Sequence, residues 1–177
     1  MTKNMASNVP PLEERCVKGI VGGALKVLEQ AKASQDVAAV DSASRTIGRV
    51  SSLLDRLRST TSDPWIWQVC AYFNDKLGNA DLVLDDLLKE HRALQATEGW
   101  ETNATQVKRV CEVALQICAV YQHGSKESHS KARFMVNRLI KKIRASYVNE
   151  VEMPAEVSLL EEKLQEIESA SLPIINE

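Results

Sequence analysis

The side chains in this 177-residue chain that could do chemistry are few: four cysteines, three histidines and one dense run of cations. Cys111 and Cys118 share a helical face but stand two turns apart, about 10 Å at ~1.5 Å per residue, too far to ligate one zinc ion. His91, His123 and His129 have no HxxxH spacing, and the cysteines have no CxxC spacing. No metal site is expected, and the thiols read as small apolar residues. A Cys–His pair assembled by the fold stays open, although nothing nearby in sequence activates a thiol. Gly19-Ile-Val-Gly22-Gly23 is not a phosphate loop, because it lies inside a helical pattern and no Lys-Ser/Thr follows it. The expectation is a chain with no catalytic residue and no cofactor, one that acts by recognition.

The cations are concentrated. From Ser125 to Tyr147 seven basic residues stand against one glutamate, a local charge of +6; from Val148 to Glu177 eight glutamates stand against one lysine, −7. The segment Lys131 to Arg144 has the pattern of a basic amphipathic helix. Such a helix can track the phosphates of RNA, bind another acidic ligand, or serve as a calmodulin-type target. The plainer reading is that Lys141, Lys142 and Arg144 solvate an outer face or meet the glutamates that follow. Net charge over the whole chain is only −2, and no aromatics interleave the cations for base stacking. The plainer reading is preferred, with RNA or acidic-ligand binding through 131–144 as the alternative.

The elements that hold these residues are helical. Apolar residues recur at steps of three and four, and only 7 glycines and 5 prolines interrupt them, too few for a β-sandwich. A first helix opens at Pro10-Pro11, with Leu12, Cys16, Ile20, Val27 and Ala31 near helical spacing and Val17, Val21, Leu25 and Leu28 beside them. Gly22-Gly23 weakens it and would let a neighbouring helix approach closely. A second carries Val40, Ala43, Ile47, Val50, Leu54 and Leu57, capped by Ser34 or Asp36. Asp63-Pro64 opens a third, with Ile66, Val69, Cys70, Phe73 and Leu77 inward and Gly78 as its stop. Asn79 caps a fourth, bearing Val83, Leu84, Leu87 and Leu94. Asn103, with Gln106 three residues on, opens a fifth carrying Val107, Val110, Cys111, Ala114, Cys118 and Tyr121. After a loop at Gly124, a sixth runs from about Ser128 to Tyr147, with Ala132, Met135, Val136, Leu139 and Ile143 inward. Pro154 opens a seventh, lined by Val157, Leu160, Leu164 and Ile167, and Pro173 ends the order.

Hydrophobic residues make up 44% and charged residues 26%, values of a globular chain rather than a disordered one. The N-terminus lacks the apolar core of a signal peptide and no run is long enough to span a bilayer, so no membrane partner is expected. Reduced cysteines suit a cytoplasmic or nuclear setting. Residues 1–9 read as a flexible start, 10–170 as one helical-repeat domain and 171–177 as a tail. Helices one–two, three–four and five–six each span roughly 35–45 residues, the size of a helical-repeat unit. The seventh, acidic outside, suits a terminal cap.

With Trp67 as the large aromatic of a tetratricopeptide repeat, Ala71 fills the small contact position, Gly78 the turn, and Val83 and Leu87 face back. Asn74 and Gln95 replace the tyrosine and closing proline. Asp63-Pro64-Trp65-Ile66-Trp67, with Ala71 and Phe73, resembles the first helix of the last repeat in the tetratricopeptide repeat protein 27 family. Gly99-Trp100-Glu101-Thr102-Asn103 resembles its Trp-Glu signature, and Val107, Val110, Ala114 and Leu115 follow in matching positions. The resemblance runs from about Cys16 to Ala170 and is to the C-terminal end of a much longer family, which leaves open a fragment, a truncated gene product or a short homologue. It implies an all-α fold of antiparallel hairpins stacked as a short right-handed superhelix with a C-terminal capping helix. It also implies a non-catalytic, intracellular, co-chaperone-like scaffold for assembling RNA-processing complexes. A protein partner would lie in the groove of the first helices, with Trp65, Gln68 and Tyr72 as candidate contacts. Repeats that grip a chaperone tail carry Lys and Asn where Gln68 and Tyr72 stand, which argues against that ligand.

Overall fold

A computed structural model describes residues 10–122, 126–147 and 153–170. They form α1 (Leu12–Ser34), α2 (Val37–Thr60), α3 (Pro64–Leu77), α4 (Ala80–Gln95), a 3-10 turn (Trp100–Thr102), α5 (Ala104–Gln122), α6 (Lys126–Ser146) and α7 (Ala155–Ala170). The chain is all-α, with no strand among the described residues. It divides into two compact units, Met1–Gly78 and Asn79–Glu177. The partners of the second expected hairpin therefore belong to different units, α3 to the first and α4 to the second. The expected loop at Gly124 and the end at Pro173 lie outside the described residues.

In the first unit α1 and α2 pair, and α3 packs on both. Their turn is closed by side chains: Ser34 Oγ donates to the Ala31 carbonyl at 2.8 Å and accepts the Asp36 N–H at 3.3 Å. The Asp36 carboxylate accepts the Ala38 N–H at 2.9 Å, so Asp36 is the cap of α2. Val17, Val21, Leu25, Val50, Leu54, Ile66, Val69 and Phe73 form the core, and the α2 stripe read from spacing is the one that turns inward. Each such side chain removed from water contributes about 1.5–3 kcal/mol before entropy is counted. Asp63 precedes Pro64 as expected but makes no side-chain cap bond; α3 ends at Gly78, which takes the left-handed φ of 76° that a side chain would disfavour.

Of the two adjacent α1 stripes that lie near helical spacing, only one turns inward. Val17, Val21, Ala24, Leu28 and Ala31 are buried, whereas Leu12, Cys16, Ile20 and Val27 are exposed. The exposed set sits one residue earlier, a rotation of about 100°, and only one face of a surface helix can meet the core. Gly22 and Gly23 are exposed too, and a methyl group at either would meet nothing within 4 Å, so no close helix approach explains them.

In the second unit α5 is central: α4, α6 and α7 each pack on it, and α6 and α7 pack on each other. Asn103 opens α5 as expected, its side chain accepting the N–H groups of Thr105 and Gln106 at 3.1 and 3.2 Å. The 3-10 turn tucks Trp100 among these helices, 1% exposed. α4 buries more than its apolar stripe: Asp86, Glu90 and His91 are also inside. Glu90 is held across the α4–α5 contact by Arg109, whose Nε and Nη2 donate to one carboxylate oxygen at 2.8 and 2.6 Å.

Replacing Gly22 or Gly23 with Ala, in open space at a helical position, is expected to stabilise the chain by about 0.5–1 kcal/mol each. Chemical denaturation of the variants checks this; a loss of stability would mean the glycines serve a contact that the geometry does not contain.

Candidate functional site

The expected contact residues of α3 lie at i, i+3 and i+7, yet they do not share one fate. Trp65 is half-buried and packs against the core. Gln68 and Tyr72 instead line a groove of about 280 Å³ between α1 and α3, with Lys18 at its rim and Val21 and Val69 beneath. Tyr72 is 51% exposed, and Lys76 Nζ stands 5.7 Å from its ring centre. Lys18 Nζ is 2.6 Å from a Glu14 oxygen and 3.5 Å from the Gln68 side-chain oxygen. The result is an apolar floor with an amide and a partly neutralised cation above, suited to one apolar side chain and a backbone hydrogen bond. Lys18 and Val21 were not among the candidates, because their role depends on a neighbour 50 residues away in sequence.

On α6 the expected basic trio is split. Arg144 Nε donates to a Glu161 oxygen of α7 at 2.7 Å, the pairing with the last helix that the plainer reading expects. Lys142 Nζ lies 3.1 Å from Glu101 and 4.9 Å above the Trp100 ring. The Glu101 carboxyl is held below its ordinary value by a hydrogen bond to its own backbone and by Lys142. Lys141 is exposed. Ala132, Val136, Leu139, Ile140 and Ile143 are buried, so the apolar face a calmodulin-type ligand would seize is already used.

Burial silences the groups that could do covalent chemistry. It pushes the Cys111 thiol up to about 12, with Glu156 and Glu112 adding to the shift, and Cys118 up to about 11. Cys70 is also buried and accepts a hydrogen bond from Arg58 Nε at 3.1 Å. Burial, then the Arg92 charge, drives His91 down to about 4. The neutral ring takes the Gln95 amide, 2.9 Å from Nδ1 and 3.1 Å from Nε2, at whichever nitrogen carries no proton. Among the described residues no three His, Cys, Asp or Glu side chains gather to hold a metal ion, and no helix is long and apolar enough to cross a membrane.

One relative can be set beside this geometry. The chain is 28% identical over 100 residues to the Tetratricopeptide repeat protein 27 homolog of Dictyostelium discoideum. The match covers 55% of this chain but only 12% of that protein. The similarity is thus to part of a tetratricopeptide repeat protein, consistent with the all-α hairpins. No family model matches the chain. No solved structure matches it.

Two outcomes follow from the buried groups. In the native chain at neutral pH, maleimide should label exposed Cys16 and leave Cys111 and Cys118 unlabelled until denaturant is added, as read by mass spectrometry. His91, depressed from an ordinary 6.5 to about 4, favours the fold fully above pH 6.5. That contribution is lost as pH falls toward 4, in all roughly 3 kcal/mol at ~1.4 kcal/mol per unit. Urea unfolding at pH 7 and pH 4 should show a smaller acid loss, by about that amount, in His91→Gln than in the wild type; equal losses would remove His91 from the acid response.

Proposed function

We propose that the chain is a non-catalytic protein-interaction module of the tetratricopeptide-repeat type, gripping an extended partner segment in the α1–α3 groove. The observation that carries this reading is the groove itself, in which Gln68 and Tyr72 meet Lys18 over an apolar floor. The partial similarity to a tetratricopeptide repeat protein supports it. On this reading the hairpins continue a right-handed superhelix, the chain corresponds to the C-terminal part of a longer array, and α7 caps it. Its setting is intracellular, cytoplasmic with access to the nucleus, and its work is co-chaperone-like assembly of RNA-processing complexes. Trp65 contributes packing behind the groove rather than contact within it. RNA binding through Lys141, Lys142 and Arg144 is the weaker reading, because Lys142 and Arg144 are engaged with Glu101 and Glu161.

A photo-crosslinking side chain at position 72 should capture discrete protein partners in cells, and one at exposed position 45 of α2 should not. The pair Gln68→Ala and Tyr72→Ala should weaken partner binding about tenfold or more while far-ultraviolet circular dichroism stays unchanged. Full binding by the double variant, or equal capture from position 45, would defeat the groove assignment.

A further inference from the structure

Having committed its buried stripe to α5 and α7, α6 carries a second ordered face. Phe134, Asn137, Arg138 and Lys141 follow at i, i+3, i+4 and i+7 and so lie along one side of the helix, about 10 Å long. Phe134 is 70% exposed, a large apolar side chain standing in water at a site where burial would contribute about 1.5–3 kcal/mol. It is also a ridge between two hollows, since Phe134 and Arg138 line both. The outer hollow, about 570 Å³, is walled by Arg133 and Lys141 with Glu168 as its acidic member. The inner one, about 360 Å³, has Met135 and Leu139 for apolar lining and His91 and Gln95 as polar groups on the α4 side.

Among the described residues Lys131, Lys142 and Arg144 are paired with carboxylates, whereas no carboxylate closes on Arg133, Arg138 or Lys141. An isolated aromatic anchor ringed by cations beside an apolar hollow is complementary to one kind of surface. We propose that this outward face of α6 is a docking strip for an acidic protein segment carrying one large apolar side chain. The apolar residue enters the inner hollow against Phe134, Met135 and Leu139, and flanking carboxylates meet Arg133, Arg138 and Lys141. Nucleic acid fits less well, because one ring offers no succession of stacking platforms. The strip lies in the second unit and stands independently of the α1–α3 groove.

The test is selection of a displayed library of random 12-residue peptides on the full chain, with single-stranded 12-mer oligouridine as a parallel probe. Enriched peptides should carry two or more Asp or Glu around a Leu, Phe or Trp. Synthetic copies should lose about tenfold in affinity on Phe134→Ala and again on Arg138→Glu with Lys141→Glu, weaken as salt rises, and bind Tyr72→Ala unchanged. All three replaced side chains of α6 are exposed, so circular dichroism should be the same in every variant. No enrichment, enrichment that survives Phe134→Ala, or enrichment lost on Tyr72→Ala instead would overturn the strip; the last would favour the groove. Oligouridine binding that depends on the cations but not on Phe134 would make the face a general electrostatic surface. A self-association in sedimentation that Phe134→Ala abolishes would assign it to a second copy. Either result ends the proposal.

Discussion

α5 keeps only a narrow wet stripe, through Thr105, Lys108, Gln116 and Ala119, and the second unit is arranged to cover the rest. Val107, Val110, Cys111, Val113, Ala114, Ile117 and Cys118 are all buried, more of the circumference than a surface helix conceals. Covering it takes α4, α6 and α7 together, with Trp100 closing the remaining corner. The hydrophobic gain is of the order of the conformational entropy of ordering these helices, so removing any one cover would expose α5. The depressed basicity of His91 and the raised thiols of Cys111 and Cys118 are consequences of the same exclusion of water.

That burial has an electrostatic corollary. α4 is amphipathic but short of apolar residues on the side it presents inward, so Asp86, Glu90 and His91 go inside with Leu87 and Leu94. A carboxylate there needs a partner, and Arg109 of α5 donates twice to Glu90 while also reaching Glu112 at 3.2 Å. The pair ties α4 to α5 in one register, since a shift by one residue would part them. At the surface, by contrast, Lys108–Glu156 and Arg144–Glu161 are exposed or half-exposed, and water and salt screen their attraction. They align α7 on its neighbours more than they hold it.

What is left for recognition is whatever each unit does not use. In the first unit this is a narrow notch with an apolar floor; in the second it is a cationic strip around one exposed phenylalanine. Their chemistry differs, so their ligands would differ. The one readily accessible thiol, Cys16, lies on the exposed side of α1.

Helix content, most helix ends and the inward stripes of α2, α3, α6 and α7 were legible in the residues alone, because three-and-four spacing, Asp36, Pro64, Gly78 and Asn103 act over a few neighbours. The groove lined by Gln68 and Tyr72 was legible only in part, and the exposed ridge at Phe134 not at all. Two adjacent apolar stripes on α1 look alike in sequence, and only packing decided that Val17 and Val21 go in while Leu12 and Ile20 stay out. The same holds for the second buried face of α5, for Glu90 meeting Arg109, and for Lys18 meeting Gln68. Local periodicity determines which helices form; which face is dry, and which charges are consumed, depends on residues far along the chain that only the folded arrangement brings within a few ångströms.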